Sequence, residues 1–208
     1  MTIQPSHTQI ETAHEMPHEV VYGADAKAIF GFWVYIMSDC LLFASIFAAY
    51  AVLHTSTSGG PSAHELFSMP FILTETLVLL TSSFTYGLVT LYAHHRDSRK
   101  QVMVWLSITF VLGAIFLGME FTEFSKLIHE GNGPKNSAFL SSFFTLVGTH
   151  GLHVIAGLVW MVTLFVQLWK YGITSTLLRK LSVLGLFWHF LDIIWIFIFT
   201  IVYLMGVL

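Results

Sequence analysis

The sequence predicts an all-α, polytopic membrane protein, and three observations lead to that fold class. Hydrophobic residues make up 55% of the 208 residues and charged residues only 10%, which is too few charges to cover a soluble domain. The mean hydropathy is +0.74. Five apolar stretches are each long enough to cross a hydrocarbon core of about 30 Å as a helix. They lack the period-two alternation that is typical of a membrane β-barrel.

The segment 1–28 precedes the first apolar stretch and is predicted to be a flexible, cytoplasmic tail. Its beginning, MTIQPSHTQIETAHEMPHEV, contains neither Lys nor Arg and has no apolar core, so it does not match a secretory signal. The first apolar stretch is then expected to act as its own uncleaved insertion signal. We interpret His7, His14 and His18 as solvated side chains, with a metal site in the tail as the alternative.

The first three predicted helices cover 29–53, 70–93 and 102–124. The first is an apolar run that follows the tail. The second opens at Pro70, a position where a helix tolerates proline because the N–H of its first turn has no intrahelical acceptor. The third follows the polar connection HHRDSRKQ. None of the three contains a proline at mid-depth that would break it.

The last two predicted helices cover 138–169 and 181–206. The first of these is longer than one crossing needs, so its beginning extends beyond the hydrocarbon core or the helix tilts. The last helix follows the polar connection KYGITSTLLRK. Because all connections are short, the sequence predicts one membrane domain over 29–208, an antiparallel bundle of five helices.

Lys and Arg side chains predict the orientation, since cytoplasmic connections carry an excess of them. One side of the predicted bundle carries seven, namely Lys27, Arg96, Arg99, Lys100, Lys170, Arg179 and Lys180. The other side carries only Lys126 and Lys135. The N-terminus is therefore expected in the cytoplasm and the C-terminus in the periplasm. An aromatic belt at the two interfaces is expected for most of Trp33, Trp105, Trp160, Trp169 and Trp188.

Ionisable side chains inside the apolar stretches are the candidate site residues. They are Asp39, Glu75, Glu120, Glu123, His150, His153, His189 and Asp192. A charge at the bilayer centre costs about 2.5–3.5 kcal/mol on the lenient insertion scale. Eight bare charges would approach about 20 kcal/mol, which exceeds the stability of a typical fold. These groups must therefore be neutral, paired, near the interface or buried against protein.

The spacing of these residues predicts which of them meet. Three pairs stand at i, i+3 and so share a helix face, and they are Glu120 with Glu123, His150 with His153, and His189 with Asp192. Depths estimated at about 1.5 Å per residue suggest two layers. Asp39, His189 and Asp192 are expected to form a layer near the midplane. The three glutamates and the other two histidines are expected to form a layer towards the outer face.

Three readings of these residues are open. A metal site is one, but the Glu-x-x-His motif of di-iron bundles is absent. A proton or ion path through Asp39, His189 and Asp192 is the second, and it would make the chain a small secondary transporter or channel. The third reading, which we favour, is that the pairs are hydrogen-bonded contacts between helices. Small residues at Ala44, Ala48, Gly148, Gly151 and Gly157 are expected to permit the close helix packing that such contacts need.

Four segments carry a resemblance to a known family. GFWVYIMSDCLLFASIFAAYAVL, TETLVLLTSSFTYGL, FLSSFFTLVGTHGLHVIAGLVWM and LFWHFLDIIWIFIFTIVYLMG resemble subunit III of the haem–copper respiratory oxidases. GTHGLHV and WHFLDIIW are the most specific motifs, and the resemblance extends from residue 29 to residue 208. The five helices, IFGFWVYIMSDC and the ending YLMG resemble the cytochrome o ubiquinol oxidase branch. Ser38 and Asp39 stand where the family commonly has Ser-Glu.

The resemblance implies the function and the surroundings of the chain. It implies an accessory subunit of the bacterial inner membrane with no catalytic, cofactor-binding or metal-binding residues, in a hetero-oligomer with catalytic subunit I and other subunits. Haem and copper are expected in the catalytic subunit, and bound phospholipid is expected on this one. The whole complex would oxidise ubiquinol, reduce oxygen to water and pump protons. The small net charge of −3 gives no indication of a nucleic-acid partner.

Overall fold

A computed structural model describes residues 18–56, 69–95 and 99–207. The described elements are α1 (His18–Leu53), α2 (Met69–His95), α3 (Arg99–His129), α4 (Ala138–Tyr171), α5 (Ser175–Ile198), a π-helical segment (Phe199–Leu204) and a final turn, α6 (Met205–Val207). Five of the helices are long and apolar enough to cross a membrane, and the described ranges contain no strand. The predicted all-α, five-span fold class is confirmed.

The helix bounds differ most from the predicted ones at the beginning of α1, but α3 also extends to His129 instead of 124, and α5 begins at Ser175 instead of 181. The helix α1 begins at His18, so residues 18–28, predicted as part of a flexible tail, are helical. A helix propagates by one hydrogen bond per added residue, and no proline interrupts this segment. His7 and His14 lie outside the described residues. The predicted fifth helix is π-helical over Phe199–Leu204, which hydropathy does not signal.

Local side chains determine where α4 and α5 begin and where α4 ends. Ser137 Oγ accepts a hydrogen bond from the N–H of Leu140 at 3.1 Å, and Thr174 caps α5 in the same way. Such N-caps satisfy backbone donors that have no intrahelical partner. Gly172 has a φ of 72° and its N–H donates to Leu168. This left-handed conformation after a helix is one that glycine adopts without strain.

The helix α5 lies at the centre of the bundle and packs against α1, α2 and α4, whereas α2 also packs along α3. Trp188 of α5 is 1% exposed, and its indole Nε1 donates to Ser82 Oγ at 3.1 Å. Added Cβ atoms at Gly113 and Gly157 would each lie 2.9 Å from this ring. Trp188 therefore does not belong to the expected aromatic belt, because two glycines leave space for its ring in the core.

Candidate functional site

The eight ionisable residues of the spans form three groups, each at a different helix interface. One group joins α1 to α4 and contains Asp39 and His153. A second joins α2 to α5 and contains His189 and Asp192. The third lies where α2, α3, α4 and the π-helical segment meet, and it contains Glu75, Glu120, Glu123 and His150. Most of these side chains are buried, and His189 is the most exposed of them.

Asp39 and His153 form a pair across α1 and α4, with Oδ2 and Nε2 3.3 Å apart. His153 Nδ1 lies 2.7 Å from the carbonyl oxygen of Thr149. Because a carbonyl oxygen only accepts, Nδ1 carries a proton. The contact places the Asp39 carboxyl group against the His153 ring rather than against hydrocarbon, as expected for a polar group inside the membrane.

His189 and Asp192 lie on one face of α5 and connect it to α2. Ser83 Oγ and His189 Nδ1 are 2.8 Å apart, a normal hydrogen-bond distance. Asp192 Oδ2 lies 3.6 Å from the same nitrogen, which is too long for a hydrogen bond and corresponds to an electrostatic contact. The ring of Tyr86 meets His189 edge-on at 6.1 Å. The pair therefore lies at the contact between α5 and α2.

The third group surrounds a set of buried carboxyl groups. Tyr203 of the π-helical segment donates its hydroxyl proton to Glu123 Oε2 at 3.0 Å. The carboxyl group of Glu120 packs on the backbone of α4, where a Cβ on Gly151 would lie 2.6 Å from Oε1. Glu75 is fully buried and lies within electrostatic range of the other two glutamates. This group links three helices and the π-helical segment.

His150 occupies an aromatic environment beside these carboxyl groups. Its ring centroid lies 5.2 Å from that of Trp195 and 5.9 Å from that of Phe116. Trp195 Nε1 in turn donates to Thr76 Oγ1 at 3.1 Å. A fully buried imidazole between aromatic rings packs as a neutral group, because desolvation penalises its charged form.

The arrangement of the histidines differs from the two predicted layers. The predicted outer layer contained His153, and the structure pairs it instead with Asp39, which was expected beside His189 and Asp192. Residues three apart on a helix differ by about 60° in direction, so His150 faces the core while His153 faces α1.

Depth accounts for the pairing of Asp39 with His153. The N–H of Phe139 donates to the carbonyl oxygen of Ser56, so the end of α1 and the beginning of α4 lie at one level. At about 1.5 Å per residue, Asp39 lies about 25 Å and His153 about 21 Å from that level. The long α4 therefore carries His153 deeper than a span beginning at the membrane surface would.

The predicted packing residues divide into three kinds. Gly151 and Gly157 stand at close contacts, with Glu120 and with Trp188. Gly148 has only an ordinary contact, at 3.8 Å from Phe124. Ala44 and Ala48 are exposed on α1, so they do not pack against the described helices of this chain. Their spacing predicts a small-residue face, but it does not predict which surface that face meets.

Hydroxyl groups are the functional residues that the sequence reasoning missed. Ser83, Thr76 and Tyr203 each form a hydrogen bond with a ring or a carboxyl group on another element, and Ser82 accepts a hydrogen bond from the indole of Trp188. The positions 76 and 83 on α2 are seven residues apart and thus share a face. This seven-residue spacing of hydroxyl residues could have predicted a polar face on α2, but the prediction considered only ionisable residues.

The geometry gives two of the three readings no support. Within 18–56, 69–95 and 99–207, no group of three or more His, Cys, Asp or Glu side chains is arranged to hold a metal ion. In the same ranges, no hydrogen bond or ion pair joins Asp39 to His189 or Asp192. A path through these three residues would have to cross between separate helix interfaces. Several contacts of these side chains run between helices. However, some buried oxygens, such as those of Asp192, have no hydrogen-bond partner among the described residues, so the reading as hydrogen-bonded contacts between helices stays a prediction.

Comparison with known proteins gives a consistent result over nearly the whole chain. The model of the family described as "Cytochrome c oxidase subunit III" matches residues 10–207. The chain is 56% identical over 198 residues to "Cytochrome bo(3) ubiquinol oxidase subunit 3" of Pseudomonas aeruginosa, covering 94% of both chains. It is 55% identical to the protein of the same name in Pseudomonas putida, covering 86% of both. It is 48% identical to "Cytochrome c oxidase subunit 3" of Bacillus sp. (strain PS3), covering 85% of this chain and 84% of that one.

Proposed function

Since the chain belongs to the cytochrome c oxidase subunit III family, we propose that it is the accessory subunit III of a proton-pumping terminal ubiquinol oxidase. In such a complex two molecules of ubiquinol supply four electrons and four protons, and one O₂ becomes two molecules of water. Haem and copper would be held by the catalytic subunit I. This chain would stabilise that subunit and keep it active over many turnovers.

The observation that carries this proposal is the extent of the similarity. The relative named as a ubiquinol oxidase subunit 3 in Pseudomonas aeruginosa matches over 94% of both chains at 56% identity. The relative named as a cytochrome c oxidase subunit 3 is somewhat less similar, at 48%. Ubiquinol is therefore the favoured electron donor, and reduced cytochrome c is the alternative that an experiment must separate from it.

The intramembrane acids and imidazoles of the chain would act in cohesion between helices rather than in turnover. Asp39 and His153 would join α1 to α4, and Asp192 with His189 and Ser83 would join α5 to α2. The contacts at 3.3 Å and 2.8 Å support this role, as does the burial of both aspartates. In membranes such polar contacts contribute about 0.6–2 kcal/mol each.

The chain would lie in the bacterial inner membrane with its N-terminus in the cytoplasm. The excess of Lys and Arg on one side, seven against two, supports this orientation. Exposed apolar side chains on α1, among them Phe30, Met37 and Leu41, would face phospholipid or a neighbouring subunit. We further propose that subunit I contacts this chain at α1.

Purification through a tag on this chain tests the proposal. The tagged chain should bring with it a complex that has a reduced-minus-oxidised haem spectrum and oxidises ubiquinol. Reduced cytochrome c should be a poor donor for the same preparation. If the chain is isolated alone from membranes that contain haem oxidases, or if cytochrome c is the better donor, the proposal is wrong.

A deletion strain tests the role of the chain in the complex. Membranes without the chain should start ubiquinol oxidation at a near-normal rate per haem, and the rate should then decline during continuous turnover. Restoring the chain should restore a constant rate. An equal decline with and without the chain would contradict a stabilising role.

A further inference from the structure

A groove on the exposed side surface of the bundle runs along the membrane-spanning helices α3 and α4. It has a volume of about 250 Å³, less than the roughly 300–1,000 Å³ of pockets that enclose a drug-sized ligand. It is lined by Leu106, Ser107, Phe110, Val111, Met161, Val162 and Phe165. Only Ser107 is polar, and its hydroxyl donates to the carbonyl oxygen of Met103 at 2.8 Å. An open, apolar groove of this size accommodates a length of hydrocarbon chain.

Two cations stand above this groove at one end of the bundle. Arg99 and Lys100 are exposed and come seven residues before Leu106 and Ser107, so each projects from the same face of α3 as the groove wall. Seven residues correspond to about 10 Å along the helix. The cations therefore lie at the level where the headgroup of a lipid would be if its chain occupied the groove.

The mouth of the groove is held in place by a contact between its two walls. The guanidinium of Arg99 donates to the carbonyl oxygen of Trp169 on α4. A guanidinium has five donors, so this bond leaves others for a ligand. The helix α3 also begins at Arg99, and the unpaired N–H groups of a first helical turn favour an anion. Trp169 is exposed beside it, as aromatic rings at a membrane interface commonly are.

We propose that the groove between α3 and α4 binds one anionic phospholipid, with an acyl chain against Phe110 and Met161 and its phosphate at Arg99 and Lys100. This proposal rests on the lipid contact of the proposed function. It specifies where on the chain the lipid binds and which class of headgroup the lipid carries. Lipid tails are as apolar as the groove, so the chain alone provides little selectivity. Selectivity comes from the charge of the headgroup, as in other basic sites between transmembrane helices.

The test uses the purified complex, delipidated in detergent and titrated with phosphatidylglycerol, with bound lipid counted by native mass spectrometry. The double variant Arg99→Gln, Lys100→Gln should weaken binding of the tightest lipid by roughly 10- to 30-fold, about five-fold per cation. Lys170→Gln is the matched control, because Lys170 stands at the same end of α4 but on a different face from Phe165, and binding should change less than two-fold. An equal loss of binding in the Lys170→Gln control would overturn the proposal, because lipid binding would then depend on the total positive charge at this end of the bundle and not on Arg99 and Lys100.

A second variant tests the groove itself. Val111→Trp fills the groove and should abolish the tight lipid, whereas Ile193→Trp, at an exposed position of α5, which forms no wall of the groove, should not. A free phosphate would be indifferent to the Val111→Trp change, so unchanged binding would overturn the assignment to a lipid. Equal affinity for phosphatidylcholine would overturn the anionic preference. The haem spectrum and ubiquinol oxidation of the same preparations report on the proposed function separately.

Discussion

The helices α1 and α5 have the same hydropathy and very different surroundings. The most apolar parts of both have a mean hydropathy of 2.0, yet 22% of that part is buried in α1 and 61% in the span that α5 begins. Both carry one buried aspartate that meets a histidine. Hydropathy therefore predicts that a helix enters the membrane, but it does not predict how many neighbours that helix has.

Side-chain size and polar partners account for the difference. The helix α5 places Trp188 and Trp195 in spaces that glycine and threonine residues on other helices leave open. The helix α1 instead presents Ala44, Ala48 and several large apolar side chains outward. In this chain α5 is the central helix, and α1 is attached to it and to α4 along one side. Four predictions test this comparison.

Overfilling the centre should have the largest effect. Gly113→Leu places a side chain where even a Cβ would lie 2.9 Å from the Trp188 ring. We expect the free energy of unfolding to fall by about 3 kcal/mol, with a lower midpoint of thermal inactivation and a lower yield of complex. Gly118→Leu, on the same helix with no atom within 4 Å of its Cβ position, is the control. Equal losses in both variants would contradict the central position of Trp188.

Replacing the two aspartates in turn compares the two helices directly. Asp192→Leu introduces a branched side chain into the tightly packed α5 and should lower the free energy of unfolding by about 2 kcal/mol. Asp39→Leu should cost about 1 kcal/mol, mainly through loss of the contact with His153, because α1 has fewer neighbours for the new side chain to overpack. Haem content per assembled complex should be normal in both. Thermal denaturation followed by the haem spectrum measures the difference, and a larger loss for Asp39→Leu would reverse the comparison.

A double-mutant cycle measures the contact that attaches α1. The single variants Asp39→Asn and His153→Gln, with the double variant, should give a coupling energy of about 0.6–1.7 kcal/mol, the range of polar contacts between membrane helices. Ser38, whose hydroxyl donates within α1 to Tyr35, offers a control. Ser38→Ala with His153→Gln should show no coupling. A coupling near zero for the first cycle would mean that the pair does not hold α1.

The smallest effect is expected in the π-helical segment that follows α5. Tyr203→Phe removes the hydroxyl that donates to Glu123 and leaves the ring in its place. We expect a loss of about 0.6 kcal/mol, the average for polar contacts between membrane helices, visible as a small shift in the thermal midpoint. Glu123→Gln should give a smaller shift, because the amide oxygen of the glutamine can still accept the hydrogen bond from Tyr203. A loss as large as that of Gly113→Leu would show that this segment, rather than the centre, limits stability.

Long apolar runs predicted the greater part of the fold. Each of the five spans is an apolar run in the sequence, whereas the caps Ser137 and Gly172, which bound α4, are known from the structure. The helical segment 18–28 and the π-helical segment were not predicted. Neither has a hydropathy signal, because the first is polar and the second continues an apolar run without a change in composition.

The sequence predicted which residues form the candidate site, but it did not predict which of them contact each other. Residues such as Asp39 and His153 were recognisable as buried polar groups because a bare charge in a membrane is unfavourable. Their partnership depends on the relative depth of α1 and α4 and on which neighbouring helix the His153 side of α4 meets. Both are set by packing, and no local pattern in the sequence encodes them.

The central claim is that the intramembrane acids stabilise the bundle and take no part in turnover. Its most direct test is the double variant Asp39→Asn, Asp192→Asn in the purified complex, which removes both acids at nearly constant volume. The account predicts an unchanged initial rate of ubiquinol oxidation, an unchanged number of protons pumped per electron and a lower midpoint of thermal inactivation. Unchanged thermal stability together with fewer protons pumped per electron would contradict it.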